Sequence, residues 1–253
     1  MLEPAAPEPD AAAIAAFYGT RAGQVAQRIL LARLRRFWPG LGGYRLLGFG
    51  FTAPYLSAFG AERTVAAGTG VMGATRWPGE LCATVQCDED ALPFADALFD
   101  RVLIVHGLER AEALRPLLRQ LWRVMAPEGR LLVVAPNRAS LWAQVETTPF
   151  GQGRPFSRGE LDRLLREGLF EPQHWARALY APPLATRLLA RDGRGWERAG
   201  SLLFPALAGM HVVEAVKSIY GVTPLPVEEV APMPLLTPES PQPALSGRSR
   251  RVP

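Results

Sequence analysis

His106 is the residue whose type and place in the chain suggest catalysis most directly. It follows the fully apolar run VLIV, residues 102–105, which predicts a buried strand. A histidine at such a strand end could orient a substrate or remove its proton, because an imidazole titrates near neutral pH. The alternative is a buried, hydrogen-bonded structural histidine. Glu109, three residues later, is interpreted as favouring the start of the next helix through its charge.

Two further features could contact a ligand. Asp88 and Glu89 open the loop DEDALPF, and their carboxylates can accept hydrogen bonds, although a solvated acidic turn is the alternative. The run YRLLGFGF, residues 44–51, contains glycines that let a backbone approach a ligand closely and tolerate positive φ. It therefore predicts a tight strand-to-helix turn, which either binds a ligand or only connects two elements.

The elements that would position these residues follow a regular alternation. Short apolar runs alternate with helical segments from Tyr44 onward, which indicates a parallel sheet covered by helices on both faces. The runs are YRLLGFG, RTVAAG, LCATVQ, RVLIVH and RLLVVAP. Ligands of such sheets bind beyond the carboxyl ends of the strands, so the glycine turn, Asp88 and His106 are expected at one edge.

The helices are predicted from leucine spacing and from capping patterns. Leu114, Leu117, Leu118 and Leu121 recur at helical spacing, and Pro127-Glu128-Gly129 is expected to end that helix. Ser157 and Glu160 form a capping box for another helix, which Gly168 should close. A further helix carrying Leu188 and Leu189 is expected within residues 182–205.

Four regions are predicted along the chain. Residues 1–10 are expected to be a disordered lead, and residues 11–43 an N-terminal helical cap with helices in AAAIAAFYG and over residues 21–37. Residues 44–221 are expected to form the α/β domain. Residues 222–253, which are rich in proline and lack apolar periodicity, are predicted to be a tail without fixed structure.

Composition narrows the classes of protein and partner. The net charge of +4 does not identify a nucleic-acid binder, and Lys217 is the only lysine among 28 basic residues, which indicates codon bias. Cys82 and Cys87 make neither a metal cluster nor a disulfide framework. The acidic, proline-rich start does not look like a signal peptide, and no apolar stretch is long enough to span a membrane. We therefore expect a cytoplasmic protein without a metal or a membrane partner, and the composition disfavours a nucleic-acid partner.

The segments together resemble a class I S-adenosylmethionine-dependent methyltransferase of type 11. CDEDALPFADALFDRVLIVHGLE resembles the family's stretch from the third-strand loop to the end of strand four. LWRVMAPEGRLLVVAPN resembles its helix and fifth strand, and RPFSRGELDRLLREGLF resembles the helix that follows. The resemblance implies a Rossmann-like, doubly wound, seven-stranded sheet with helices on both faces, whose antiparallel seventh strand would be MHVVEAVKS.

The resemblance also implies a cofactor, S-adenosyl-L-methionine, and residues to hold it. The family pattern of one acidic residue and three glycines falls on Gly48, Gly50, Thr52 and Pro54, so only Gly50 matches a family glycine. Pro54 has no amide hydrogen to donate. Asp88 fits the acidic residue that takes the adenine amino group, with Glu89 beside it. Strand two ends VAAGTG without the acidic residue that the family places against the ribose.

Substrate contacts are expected from two segments. Tyr18 and Arg21 in the N-terminal helices could reach the site as part of a lid, although helices that only pack are the alternative. The loop at residues 136–157 follows strand five and brings Asn137 and Arg154 over the site, where Arg154 could pair with an acidic substrate group. The same loop, or the C-terminal tail, could instead contact a protein partner or another subunit.

Three functions remain open from the sequence. The first is methyl transfer to an unidentified small-molecule acceptor, which Asp88, His106 and the long loop favour. The second is a non-catalytic relative with a binding or regulatory role, which the altered glycine turn favours. The third, an RNA-modifying enzyme, rests only on the arginine content. An NAD-type dehydrogenase is disfavoured because the full glycine fingerprint and the ribose acid are both absent.

Overall fold

The computed structural model describes residues 11–69, 77, 83–182 and 194–219. The predictions for residues 1–10, for Leu188 and Leu189 and for residues 222–253 therefore fall outside the described residues. All described residues belong to one compact unit, Met1–Gly221.

Seven strands form a single sheet, in the order β3-β2-β1-β4-β5-β7-β6. The strands are β1 Arg45–Gly50, β2 Arg63–Thr69, β3 Thr84–Cys87, β4 Phe99–Val105, β5 Met125–Pro136, β6 Phe170–Ala178 and β7 Met210–Lys217. The first five pair in parallel, whereas β7 is antiparallel to both β5 and β6. This order confirms the predicted fold class and the position of MHVVEAVKS as the inserted strand.

Helices pack against both faces of the sheet. They are α1 Ala11–Gly19, α2 Arg21–Phe37, α3 Ala53–Leu56, α4 Leu114–Val124, α5 Arg158–Glu167 and α6 Arg194–Leu203. Successive strand residues point to opposite faces, so Leu46 and Leu103 join the core with α1 and α2, whereas Leu47 and Ile104 join the core with α4 and α5. Two buried faces explain why the strands read as continuous apolar runs.

The junction of α1 and α2 brings the N-terminal segment close to the sheet. Thr20 is the N-cap of α2, and its hydroxyl accepts a hydrogen bond from the Gly23 amide at 3.1 Å. A Cβ on Gly23 would lie 2.1 Å from the Phe17 carbonyl oxygen, so the two helices meet at van der Waals contact there. This close turn holds Tyr18 on the inner side of α1, where it is buried.

The end of α4 differs from the predicted one, whereas α5 begins and ends as predicted. Helix α4 ends at Val124 and Met125 already pairs with Phe99, so Pro127-Glu128-Gly129 lies within β5 and does not end the helix. The predicted capping box at Ser157 is present. Gly168 caps α5 with a φ of −82°, and the left-handed residue is Leu169, with a φ of +63°.

Candidate active site

His106 lies at the carboxyl end of β4 and is fully buried. Its φ of +55° turns the chain sharply away from the strand. Its Nε2 is 3.0 Å from the Tyr18 hydroxyl and its Nδ1 is 3.1 Å from Oε1 of Glu109. Both ring nitrogens are therefore engaged, one by α1 and one by the loop that follows β4.

The four side chains Tyr55, Tyr18, His106 and Glu109 form one hydrogen-bonded row. The Tyr55 hydroxyl donates to the Tyr18 hydroxyl at 2.9 Å. Tyr18 then has its own proton to give to Nε2 of His106, which leaves Nδ1–H to donate to Glu109. Oε2 of Glu109 is buried and has no partner within the described part of the chain. Burial raises the pKa of Tyr18 and of Tyr55, so both phenols stay protonated.

Aromatic rings enclose this row. The ring of Tyr18 is parallel to that of Phe51, with centroids 5.5 Å apart, and Phe150 lies 4.9 Å from the His106 ring. All of these side chains are buried. The Tyr18 ring thus occupies the space between the glycine turn and the end of β4.

Gly50 is required by the backbone whether or not a ligand binds. Its φ is +85°, and a Cβ there would lie 2.4 Å from the Val105 carbonyl oxygen and 2.8 Å from the Gly107 amide nitrogen. The amide of the next residue, Phe51, donates to the same Val105 carbonyl at 2.7 Å. The match to the family glycine is therefore explained by the close approach of the turn to β4.

Gly48 and Thr52 share one space. A Cβ on Gly48 would lie 2.2 Å from Thr52 Oγ1, so the threonine hydroxyl fills the room into which an acidic side chain at position 48 would extend. Thr52 is fully buried, and its Oγ1 has no hydrogen-bond partner among the residues described. A side chain at position 48 therefore excludes threonine at position 52, and the Thr52 hydroxyl lies beside the turn without a partner among the residues described.

Asp88 and Glu89, which adjoin in sequence, have separate surroundings. Asp88 is exposed directly after β3, at the same edge of the sheet as Gly50 and His106. The Glu89 carboxylate accepts hydrogen bonds from the Glu112 amide at 3.2 Å and the Ala113 amide at 2.8 Å. Glu89 therefore holds the backbone just before α4, and its role beside the cofactor stays a prediction.

Asn137 also has a structural role. Its Nδ2 donates to the carbonyls of Ala206 and Ala208, and its Oδ1 accepts from the Ala139 amide. The buried amide is thereby satisfied and ties the loop after β5 to the segment before β7. The substrate contact of Asn137 stays a prediction, and these hydrogen bonds already engage its side-chain amide.

The rest of the 136–157 loop contributes core residues and exposes an arginine. Trp142, Phe150 and Phe156 are buried, so the loop is packed against the domain. The backbone amide of Arg154 donates to the Glu109 carbonyl at 2.8 Å, and its guanidinium lies 5.9 Å from the Phe156 ring centroid. The loop thus holds the backbone of Glu109 in place beneath the exposed Arg154.

Arg21 lies in different surroundings from Tyr18, which contacts His106. It is exposed and lines a cavity of about 390 Å³ between α1 and the loop after β5, together with Phe17, Trp142 and Thr148. Sequence reasoning missed Glu109 and Tyr55 as site residues. The three-residue spacing of His106 and Glu109 was a usable signal, whereas no local pattern marks Tyr55.

Comparison with known proteins identifies the domain. Residues 47–133 match the family model described as a methyltransferase domain. The sheet order above is the one that this resemblance implied. Over residues 47–133 the chain is similar to a methyltransferase domain, and its sheet has the strand order of the class I methyltransferase fold. The matched range runs from β1 into β5, so α1, with Tyr18, and the loop at residues 136–157 lie outside it.

Individual relatives of the methyltransferase domain match over shorter ranges or at low identity. The ubiquinone/menaquinone biosynthesis C-methyltransferase UbiE of Klebsiella pneumoniae is 46% identical over 50 residues, which is 20% of this chain and 20% of the relative. A Thermotoga maritima structure, described as a SAM-dependent methyltransferase and possible histamine N-methyltransferase, is 19% identical. That alignment covers 81% of this chain and 94% of the other, with a TM-score of 0.54.

A second solved structure contains a ligand. Geranyl diphosphate C-methyltransferase from Streptomyces coelicolor A3(2), in complex with Mg²⁺, geranyl diphosphate and S-adenosyl-L-homocysteine, is 14% identical. The alignment covers 74% of this chain and 76% of the other, with a TM-score of 0.51. At such identities these likenesses show the fold of the methyltransferase domain. Within the described ranges, no helix is both long enough and apolar enough to cross a membrane.

The polar groups at this edge fit part of what S-adenosylmethionine offers. The unsatisfied Thr52 hydroxyl lies beside the glycine turn, and the exposed Asp88 carboxylate follows β3, so an amino-acid end and an adenine amino group would each have a partner. Thr69 ends β2 where the family places its ribose acid. The Tyr18 ring, however, lies against the same turn, so a ligand there requires Tyr18 to move.

Proposed function

We propose that this protein is a cytoplasmic enzyme that transfers a methyl group from S-adenosyl-L-methionine to a small-molecule acceptor. The observation that carries the proposal is the buried His106–Glu109 pair at the end of β4, beside the glycine turn of a methyltransferase domain. A buried histidine with a carboxylate on Nδ1 has a fixed tautomer, and its Nε2 can then accept a proton.

Three residues would hold the cofactor. Gly50 lets the backbone approach it, the Thr52 hydroxyl can bond its amino-acid end, and Asp88 can accept from its adenine amino group. When bound, S-adenosylmethionine supplies an electrophilic methyl group. Because methyl transfer needs chiefly an in-line approach and exclusion of water, positioning by this edge of the sheet can provide much of the rate.

His106 has a second role in the proposal. Nε2 of His106 can accept the proton that an acceptor hydroxyl or amine loses, while Glu109 stabilises the resulting imidazolium. In the structure Nε2 is bonded to the Tyr18 hydroxyl, so the base is available only when Tyr18 has moved away. One displacement of α1 would therefore uncover both the turn and the base, which makes α1 a cover of the site.

A non-catalytic role is the second candidate, and a specific observation favours it. Tyr18, Phe51 and Phe150 already fill the space beside His106 with well-packed rings. If this packing is permanent, the domain would use its surface for binding and would have no reaction to catalyse. The two candidates differ in whether the cofactor binds.

Calorimetric titration with S-adenosylhomocysteine tests the proposal. We expect binding by the wild-type protein, and we expect Asp88→Asn to weaken it about tenfold, because hydrogen bonds to a charged acceptor contribute about 1.5–3 kcal/mol. Asp90→Asn, an exposed change in the same loop, is the matched control and should leave the affinity unchanged. Absence of binding at millimolar ligand, both in the wild type and in Tyr18→Ala, would favour the non-catalytic role.

The shared space of Gly48 and Thr52 predicts a coupled pair of substitutions. Gly48→Asp alone should destabilise the domain by about 2 kcal/mol, because overpacking a core commonly costs about 1–3 kcal/mol. Adding Thr52→Gly should recover part of that loss, since it removes the nearest atom that the new side chain meets and leaves Leu56 Cδ2, at 2.7 Å from the new Cβ, as the remaining contact. Urea denaturation of the two single variants and the double variant measures the coupling energy. Simple additivity of the two single effects would show that the two side chains do not compete for space.

A further inference from the structure

A cluster of arginines lies at the amino edge of the sheet, opposite the edge that carries the glycine turn. It lines a cavity of about 660 Å³ between the end of α2 and the amino ends of β1 and β4. Arg36 lines the cavity from the last turn of α2, Arg101 from β4 and Arg130 from β5. Arg101 is five residues before His106, so about 16 Å of strand separates this cavity from the proposed base.

Arg101 and Arg130 are direct neighbours on paired strands. They are register partners in the β4–β5 pair. Both point to the face of the sheet that α2 covers, because Leu103 and Leu132, two residues further along each strand, lie in the core on that face. Neighbouring strands are about 4.8 Å apart, so the fold holds two cations side by side. Like charges at this distance repel, and an anion bound between them would offset the repulsion.

Glu214 supplies the one carboxylate that lines this cavity among the residues the structure describes. Its Oε1 accepts from the Trp38 indole at 2.8 Å, and its Oε2 accepts from Nη1 of Arg130 at 2.9 Å. Both oxygens are therefore engaged, and the charge of Glu214 balances that of Arg130. Arg33 also lines the cavity, but its charge acts on the Glu197 carboxylate, so it is not counted in the cluster.

Arg101 and Arg36 keep donors that a ligand can use. Nη1 of Arg101 donates to the Asp100 backbone carbonyl at 2.8 Å, and the guanidinium lies 4.3 Å from the Tyr44 ring centroid. Its Nε is buried, whereas its Nη2 is not and makes no hydrogen bond within the described ranges. Arg36 is exposed, and no described residue pairs with its guanidinium. The Asp100 carboxylate does not compete, because the Arg45 side chain binds both of its oxygens.

We propose that this cavity binds the terminal phosphate group of a small molecule, with Arg36, Arg101 and Arg130 around the phosphate. Phosphate oxygens accept hydrogen bonds from guanidinium groups, whose planar donors match phosphate geometry. The cavity is larger than a phosphate group, and Phe37 and Tyr44 line part of the remaining space, so an apolar part of the ligand would contact their rings. The site is separate from the row at His106 and does not depend on methyl transfer.

A terminal phosphate fits guanidinium groups from three separate elements better than a carboxylate does. The two oxygens of a carboxylate lie in one plane, and bidentate pairing with a single guanidinium uses both. A terminal phosphate has three oxygens in a tetrahedral arrangement, so it can accept from α2, β4 and β5 at once. Its charge near pH 7 is close to two, which matches the two arginines, Arg36 and Arg101, that Glu214 does not balance.

Calorimetry with sodium pyrophosphate, in a buffer free of phosphate, tests the inference. We expect binding by the wild type, and about tenfold weaker binding by Arg36→Gln/Arg101→Gln, since tenfold corresponds to about 1.4 kcal/mol. Arg35→Gln is the matched control, because it removes the same charge from an exposed position in the same turn of α2, outside this cavity. It should bind within about twofold of the wild type. Arg101→Lys keeps the charge but loses the planar donors, so its affinity should lie between those of the wild type and the double variant.

Three outcomes would overturn the inference. They are no binding of millimolar pyrophosphate by the wild type, an equal loss in Arg35→Gln and Arg36→Gln, or equal affinity for succinate, a dicarboxylate. S-adenosylhomocysteine should not displace pyrophosphate, and competition between the two ligands would contradict a separate site. If the double variant does not fold, Arg36→Gln alone carries the test, because Arg36 is exposed, and it should weaken pyrophosphate about threefold.

Discussion

Gly50→Ala is expected to destabilise the domain by about 3 kcal/mol, because it combines a left-handed backbone with a steric clash. The φ of Gly50 is +85°, and the new Cβ would lie 2.4 Å from the Val105 carbonyl oxygen. That oxygen belongs to the backbone of β4 and also accepts the Phe51 amide, so it cannot move without breaking the contact between β1 and β4. Urea denaturation followed by circular dichroism measures the loss.

Gly43→Ala is the matched control for this prediction. Gly43 has a similar φ of +80°, but nothing lies within 4 Å of the Cβ position. Only the backbone cost should appear, about 1 kcal/mol. If the two variants lose the same stability, the turn has room for a side chain and the clash is absent. The position would then be kept as glycine for a ligand.

Tyr18→Ala is expected to strengthen the binding of S-adenosylhomocysteine about tenfold or more, while it lowers the stability of the free protein. The apparent affinity of a covered site is reduced by the fraction of molecules that are open. Tyr18 is buried against Phe51 and hydrogen-bonded to His106, and truncation of a buried aromatic side chain typically costs about 3–5 kcal/mol. This loss of free energy destabilises the closed state, in which Tyr18 covers the turn. Calorimetric titration and a thermal melt of the same samples measure both effects.

Tyr18→Phe separates the contribution of the Tyr18 ring from that of its hydroxyl. It keeps the ring on Phe51 but removes the hydroxyl that joins Tyr55 to His106, so the closed state should lose about 1–2 kcal/mol. Its affinity should fall between those of the wild type and Tyr18→Ala. Weaker binding by Tyr18→Ala would contradict the role of a cover and would show that Tyr18 contacts the bound ligand.

Gly50 and Tyr18 make different contributions to the protein. Gly50 serves the fold, because it lets β1 turn against β4. Under the proposed function, Tyr18 covers the turn and engages His106, the proposed base, with one side chain. A protein that binds its cofactor only when α1 moves could couple methyl transfer to whatever contacts α1. Contact of a protein partner with the loop at residues 136–157 remains a prediction.

The elements were predictable because they depend on local spacing. Helix α2 has the predicted bounds of residues 21–37, and the apolar runs became strands, since a strand buried on both faces needs continuous apolar residues. The end of α4 was not predictable. Met125 joins β5 because Phe99, distant in sequence, offers a pairing partner, and this pairing outweighs the turn tendency of Pro127-Glu128-Gly129.

The sequence by itself determined the sheet, its helices and the edge at which His106, Asp88 and the glycine turn meet, because strand order and chain direction place strand ends together. Only the tertiary structure decided which groups the side chains near that edge contact. Glu89 holds the backbone just before α4 and Asn137 ties down a loop, since nearby backbone groups in the fold needed partners. Tyr18 contacts His106 from a helix that is far away in the sequence. Glu109 contacts His106 across a short turn in which His106 itself is left-handed. Spacing along the chain does not encode either contact.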